Sequence, residues 1–322
     1  MEINTLFMRR ALQLARVGEL DASPNPMVGA VIVGPDGRVI GEGWHRRCGE
    51  GHAEVNAIAS VSDPALLADS TMYVTLEPCS HYGKTPPCAD LIISRGIPRV
   101  VVGCLDPFPE VAGRGIEKLR AAGVEVVTGV LEEECRRLNE KFIIAHTLGR
   151  PFITVKWAES ADGFIDGQIS SPLTAGAVHR LRATHDAILV GSGTAIADRP
   201  SLTTRFYAGR SPLRVLLDRS GRVAPDNPIF PAVVFSSYTS LQEVVETLYR
   251  DHRVTSLLVE GGAKVIRSFL GCGLWDVVRI ERGTAPIRGS VAAPLPPRGL
   301  VSASLSPDGH LITTIRNQST QI

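Results

Sequence analysis

The residues of this chain best equipped for chemistry are His52, Glu54, Cys79 and Cys88. They lie in His52-Ala53-Glu54 and in Pro78-Cys79-Ser80-His81-Tyr82-Gly83-Lys84-Thr85-Pro86-Pro87-Cys88. One imidazole and two thiolates make three zinc ligands. A structural zinc closes its tetrahedron with a fourth protein ligand, whereas three leave a place for water. On zinc the pKa of water falls to about 7, so hydroxide is available at neutral pH to attack an amine-bearing ring carbon. Glu54, two residues past the histidine, can lie beside the metal without joining it. That is the placement of a general base which takes the proton of water, passes it to a ring nitrogen and then to the departing amine. Together these are the parts of a hydrolytic deaminase. The usual signature has two residues between its cysteines, and here there are eight; a longer loop still brings both sulfurs to one metal.

Each piece alone has a plainer reading. His-x-Glu recurs by chance on surface helices, and cysteines in a chain with six are more often small buried hydrophobes. What favours a metal centre is the combination, with prolines flanking both cysteines and helix-like runs after His52 and Cys88. His81, inside the cysteine loop, reads as a substrate-side or structural hydrogen-bonding residue rather than a fourth ligand. Cys48 reads as a non-ligand, and Cys104, Cys135 and Cys272 as packing residues.

The elements that must position these groups follow from periodicity. Phe7, Ala11, Leu14 and Ala15 recur at helical spacing up to Gly18. Met27–Val33 and Val39–Trp44 are strands joined by the turn Pro35-Asp36-Gly37, a hairpin. His52 and Cys88 open helices, Thr71–Leu76 is a strand running into Cys79, and strand Arg99–Cys104, helix Gly115–Ala122 and strand Val124–Val127 follow. This alternation predicts a layered α/β sheet. Helix N-termini meeting at the metal help to hold thiolate charge, and the ends of sheet strands are where α/β folds bind ligands. After a charged helical stretch from Glu132 to His146, Gly149-Arg150-Pro151 marks a boundary, with domains expected over 1–146 and 147–322. The alternation then restarts: strand Phe152–Trp157, helix Thr174–Thr184, strands Ala187–Val190, Arg214–Leu217 and Val233–Phe235, helix Leu241–Arg250, strand Ser256–Val259, helix Ala263–Leu270 and strand Val277–Ile280. A last hairpin is expected around Pro307-Asp308-Gly309.

With 322 residues the chain is long for one domain. Its 34 basic and 33 acidic residues give a net charge of +1, which offers no global attraction to nucleic acid or to a membrane. The first twenty residues carry Arg9, Arg10 and Arg16 and have no continuous apolar core, so neither a signal peptide nor a spanning helix is expected. Six cysteines without a disulfide-like framework fit a reducing cytoplasm.

At this point the residues resemble a known family, the bifunctional deaminase and reductase of riboflavin biosynthesis. In the first half the resemblance rests on Asn25-Pro26-Met27-Val28-Gly29, Gly43-Trp44-His45, His52-Ala53-Glu54 and the block from Glu77 to Cys88. In the second half it rests on Lys156 to Gly163, Leu181-Arg182-Ala183, Asp186 to Thr194, Asp198, Leu202-Thr203-Thr204-Arg205 and Val259-Glu260-Gly261-Gly262. The resemblance implies an α/β protein with a cytidine-deaminase-like three-layer domain followed by a dihydrofolate-reductase-like domain. It implies zinc and NADPH as cofactors and a phosphoribosylaminopyrimidine as substrate, deaminated first and then reduced at its ribose to ribityl. On that carry-over Glu54 is catalytic and His52, Cys79 and Cys88 bind the metal. Asn25 and His45 line the base pocket. Arg182, Thr194, Asp198, Leu202, Arg205 and Glu260 bind the reductase substrate, and Ala158, Gly261, Gly262, Ala263 and Lys264 meet the cofactor. Guanidinium forks suit a phosphate, and two glycines before a helix let backbone amides approach one. The chain departs from the family in a shorter loop, Asp166-Gly167-Gln168, and in Arg199 where a second Asp is common.

The competing readings are a deaminase whose second domain is only a scaffold, a nucleic-acid or nucleoside deaminase, and a non-catalytic metal-stapled binding module. Balanced charge and the lack of an aromatic-plus-basic stripe argue against nucleic acid. A small-molecule substrate and a homo-oligomer are expected.

Overall fold

The structure of the protein is a computed structural model, in which the described residues are 4–80, 86–107 and 112–320. His81, expected near the substrate, lies outside them. The chain divides into two compact units, one running to Thr147 and the other spanning Leu148–Gln321.

The first unit contains α1 (Thr5–Arg16), β1 (Gly29–Val33), β2 (Val39–Trp44), α2 (Ala53–Ala59), β3 (Thr71–Leu76), α3 (Cys88–Ser94), β4 (Arg99–Cys104), α4 (Arg114–Ala121), β5 (Glu125–Val127), α5 (Glu132–Leu138) and α6 (Glu140–Leu148). Its sheet has the order β2-β1-β3-β4-β5. The β1–β2 pair is the expected antiparallel hairpin, and β3, β4 and β5 run parallel. Strands β1, β3 and β4 are buried almost throughout, so they read as apolar runs rather than alternating ones. Two glycines reveal the faces. A Cβ at Gly29 would fall 2.0 Å from the Ala11 carbonyl oxygen, so α1 lies directly on that face. A Cβ at Gly43, whose strand partner is Ala30, would fall 2.3 Å from the Ala57 nitrogen, so α2 presses on the other. Helix α5 shares the α1 face and α3 and α4 continue the α2 face, which completes three layers.

The charged stretch from Glu132 to His146 is not one helix. It breaks at Asn139 into α5 and α6. The Asn139 amide accepts from the Met27 nitrogen at 2.8 Å and donates to the Met27 oxygen at 2.9 Å, imitating a strand partner. That satisfaction of a distant backbone outweighs local helix propensity. The first strand is also shorter than expected, starting at Gly29.

The second unit contains β6 (Phe152–Glu159), α7 (Pro172–Ala183), β7 (Ala187–Gly191), α8 (Ser192–Asp198), β8 (Leu213–Leu217), β9 (Val233–Phe235), α9 (Leu241–His252), β10 (Ser256–Val259), α10 (Ala263–Gly271), β11 (Val277–Arg282), β12 (Leu300–Leu305) and β13 (Leu311–Arg316). The sheet order is β12-β13-β11-β6-β10-β7-β8-β9. Strands β6 to β11 are parallel, and β13 and β12 add an antiparallel hairpin, as the turn at Pro307-Asp308-Gly309 predicts. Ile153, Val155, Leu257, Val259 and Val278 meet Val244 and Leu248 of α9 and Ile266 and Phe269 of α10 on one face. Ile188, Val190, Leu216 and Leu258 form a second cluster with Ala195 of α8 on the other. Helix α8 is an addition to the expected elements; its Gly-Ser-Gly start conceals it from propensity. Cys104 and Cys135 are buried as expected, whereas Cys272 is exposed at the end of α10 and is no packing residue. Among the described residues no helix is long and apolar enough to cross a membrane.

Candidate active sites

In the first unit three element ends converge. His52 is the N-cap residue of α2, Cys79 follows β3 and Cys88 opens α3. His52 Nδ1 lies 3.6 Å from the Cys79 sulfur and 3.4 Å from the Cys88 sulfur. All three ligand atoms fall within 4.8 Å of one another. The nitrogen–sulfur edge of a zinc tetrahedron with ordinary bond lengths is about 3.6 Å, so these residues fit zinc in both donor type and separation. The Cys88 amide, at the helix start, donates to the Cys79 sulfur at 3.3 Å.

The electrostatics agree with a metal centre. The Cys79 thiol is pulled down to about 4 by a hydrogen bond from Cys88 and by His52, while that same sharing and burial push the Cys88 thiol up. Glu54, in the first turn of α2, is 3% exposed. Burial, with the nearby Cys79 charge, pushes it up to about 7. A carboxyl poised there both accepts and returns a proton near neutral pH.

His45 and Asn25, which the family resemblance implies line the base pocket, lie in contact. The Asn25 amide nitrogen donates to His45 Nε2 at 3.1 Å, and His45 Nδ1 donates to the Gly51 carbonyl at 3.2 Å. Burial lowers the pKa of His45, which favours its neutral form. Its ring stands edge-on to that of His52 with centroids 5.5 Å apart.

In the second unit a cleft of about 330 Å3 opens along β6 and the end of β10. Lys156, Ala158, Gln168, Thr194, Asp198, Glu260, Gly261 and Gly262 are among its lining residues. Thr194 accepts from the Gly262 amide at 2.8 Å, which pins the glycine turn to α8. Arg182 does not stand free to meet a phosphate. Its Nη2 lies 2.7 Å from Glu260 Oε2, its Nε lies 3.3 Å from Oε1, and Nη1 donates to the Thr203 carbonyl. Leu202 departs further from expectation: it is 3% exposed, has φ of +52° and packs with Ile188 and Ala195. Its side chain belongs to the core. Arg205 is exposed over Phe206, 5.7 Å from the ring centre. Ala263 is buried and Lys264 exposed, and neither lines the cleft. Arg199, the departure from the family pattern, has φ of +41° and binds Asp226 on the surface.

Lys156 also lines this cleft and is not among the expected site residues. Burial lowers its pKa, against the pull of Glu260 and Glu281. A lysine inside the buried strand Phe152–Glu159 was the available signal, because a charge in such a place is costly unless it is used. Behind it, Ser170 donates to Glu281 and His310 Nδ1 lies 3.0 Å from the same carboxylate.

Comparison with known proteins agrees with both halves. The zinc-binding region of the cytidine and deoxycytidylate deaminases matches residues 1–104, and the RibD C-terminal domain matches residues 151–286. The riboflavin biosynthesis protein RibD of Aquifex aeolicus is 39% identical, over 85% of this chain and 85% of its own, and that of Escherichia coli is 43% identical, over 84% of each. A diaminohydroxyphosphoribosylaminopyrimidine deaminase and 5-amino-6-(5-phosphoribosylamino)uracil reductase from Thermotoga maritima superposes with a TM-score of 0.88 at 38% identity, covering 97% of this chain and 98% of that one. Acinetobacter baumannii RibD gives 0.88 at 30%, covering 98% and 99%. With relatives this similar along nearly its whole length, the chain belongs to the family of riboflavin biosynthesis protein RibD, the bifunctional deaminase and reductase.

Proposed function

We propose that residues 1–146 deaminate 2,5-diamino-6-(5-phosphoribosylamino)pyrimidin-4-one and that residues 147–322 then reduce the ribose of the aminouracil product to ribityl with NADPH. The observation that carries the first step is the convergence of His52 Nδ1 and two sulfurs beside the buried Glu54. Zinc held by these three atoms supplies the Lewis acidity that makes water nucleophilic at neutral pH. Glu54 takes one proton of the attacking water and delivers it to the ring nitrogen, then carries the remaining hydroxyl proton to the amine as the carbon–nitrogen bond breaks, so that water and the aminopyrimidine become the carbonyl compound and ammonia. Asn25 and His45 orient the base through their hydrogen-bonded pair.

For the second step, Ala158, Gly261 and Gly262 line the cleft that would hold NADPH, which when bound would supply the hydride for reduction of the opened sugar. Lys156 lies in the same cleft with its ammonium destabilised by burial, so it is suited to give up a proton to the sugar oxygen. The Arg182–Glu260 pair holds the wall where the substrate polar groups dock, and Arg205 offers an exposed guanidinium to a phosphate. Incubation with the diaminopyrimidine should release ammonia and then consume NADPH. Ammonia release without NADPH oxidation, even when the deaminated compound is supplied, rejects the second step.

The reading includes a small-molecule rather than nucleic-acid substrate, a cytoplasmic location and a homo-oligomer. Balanced charge supports the first and six unpaired cysteines the second; light scattering on the purified protein tests the third.

A further inference from the structure

We infer that Glu77 and Gly115 form a positioning device for the metal ligand Cys79, an inference that rests on the zinc reading above. Glu77 follows β3 and is 4% exposed. Its carboxylate takes four main-chain hydrogen bonds: from Gly113 at 2.9 Å and Asp106 at 3.3 Å on one oxygen, and from Gly115 at 2.9 Å and Ile116 at 3.4 Å on the other. Three of these donors form the start of α4, where amides lack helical partners and the dipole favours negative charge. The carboxylate therefore ties the end of β3 to the start of α4.

Gly115 makes the second contact. A Cβ built there would lie 2.0 Å from the Pro78 carbonyl oxygen, so α4 is seated directly on the peptide that leads into Cys79. From the other side α3 grips the same residue, with the Ala89 amide donating to the Cys79 carbonyl at 3.1 Å and the Cys88 amide to its sulfur at 3.3 Å. Lys118 of α4 and Asp90 of α3, 2.5 Å apart, join the two helices.

This clamp answers a local need. Cys79 lies beyond the last residue of β3, and Pro78 has no amide hydrogen with which to extend the ladder. Metal bonds tolerate only about 0.2 Å of error, so the sulfur needs its backbone fixed by something other than the strand. Glu77 acts through Cys79 and not on substrate.

The test uses the full chain, stripped and reloaded with cobalt(II), in the wild type and in Glu77→Gln, Glu77→Ala and Gly115→Ala. The wild type should show thiolate-to-cobalt charge-transfer absorption. Each variant should bind cobalt about 10- to 100-fold more weakly in chelator competition, the size usual for lost outer support of a ligand. The spectrum should shift, and kcat for deamination should fall with little change in KM. NADPH oxidation on the deaminated compound reports that the second unit remains folded, and far-UV circular dichroism with a thermal melt reports the first. A merely structural Glu77 would lower thermal stability and leave cobalt affinity and spectrum intact below the transition; that result in Glu77→Gln and Gly115→Ala overturns the inference, even if Glu77→Ala fails to fold. A wild type with no charge-transfer band overturns the zinc reading, and this inference with it.

Discussion

On the proposed mechanism Glu54 and the residues that could hold the metal, His52, Cys79 and Cys88, have separable duties. Glu54→Gln keeps the volume and removes the base, so deamination should fall by about 10²- to 10⁴-fold while metal analysis still finds zinc. Full activity in that variant would remove Glu54 from the proton path. Lys156→Met should leave ammonia release unchanged and lower the rate of NADPH oxidation by a comparable factor of about 10² or more, measured with the deaminated compound. His179 gives a pH prediction. Burial, with the charges of Arg182 and Arg205, lowers its pKa, and the Phe206 amide donates to its Nδ1. The unfolded chain takes up that proton near the ordinary value of about 6.5, before the folded protein does. The stabilisation is therefore complete above about pH 6.5, shrinks as pH falls, and stops shrinking once the folded residue protonates. Urea midpoints should drop between pH 7.5 and 5.5 in the metal-loaded protein, and His179→Gln should reduce that drop; an unchanged slope in the variant refutes the assignment.

Among the elements, α2 matters most to the first site because it carries Glu54 and begins at His52. It reaches β2 through Gly43, which has room for hydrogen alone. Gly43→Ala should push α2 off the sheet and destabilise the first unit by about 3 kcal/mol, as overpacking does, with deamination lost alongside; thermal melts and ammonia assays read both. In the second unit Asp186 plays the joining role. Its Oδ2 accepts from the main-chain and hydroxyl groups of Thr255 and Ser256, tying the start of β7 to β10. Element positions were largely legible from apolar runs and turns. The exceptions share a cause: the break at Asn139 and the helix at Ser192–Asp198 are set by partners distant in sequence, Met27 for the first and the cluster around Ala195 for the second.

For the whole molecule, each unit encloses its own apolar clusters. Removing a metal ligand should therefore silence one reaction alone. Cys79→Ser should abolish ammonia release and metal binding, while NADPH oxidation on the deaminated compound continues at the wild-type rate. Simultaneous loss of both activities in a folded variant would show that the reductase depends on the metal unit.

Sequence alone singled out the candidate metal set His52, Cys79 and Cys88 with Glu54 nearby, and determined the α/β organisation and, through the long cysteine block, the family. These follow from residue type, spacing and period, which are local properties of the chain. Tertiary structure decided what spacing cannot carry. It gave Arg182 to Glu260 and the Leu202 side chain to the core, and it brought Lys156 into the cleft. It also seated α4 on the Pro78–Cys79 peptide through Glu77 and Gly115. A side chain's partner depends on which distant backbone the fold lays beside it, and on how far burial raises the cost of leaving its charge or hydrogen bonds unpaired.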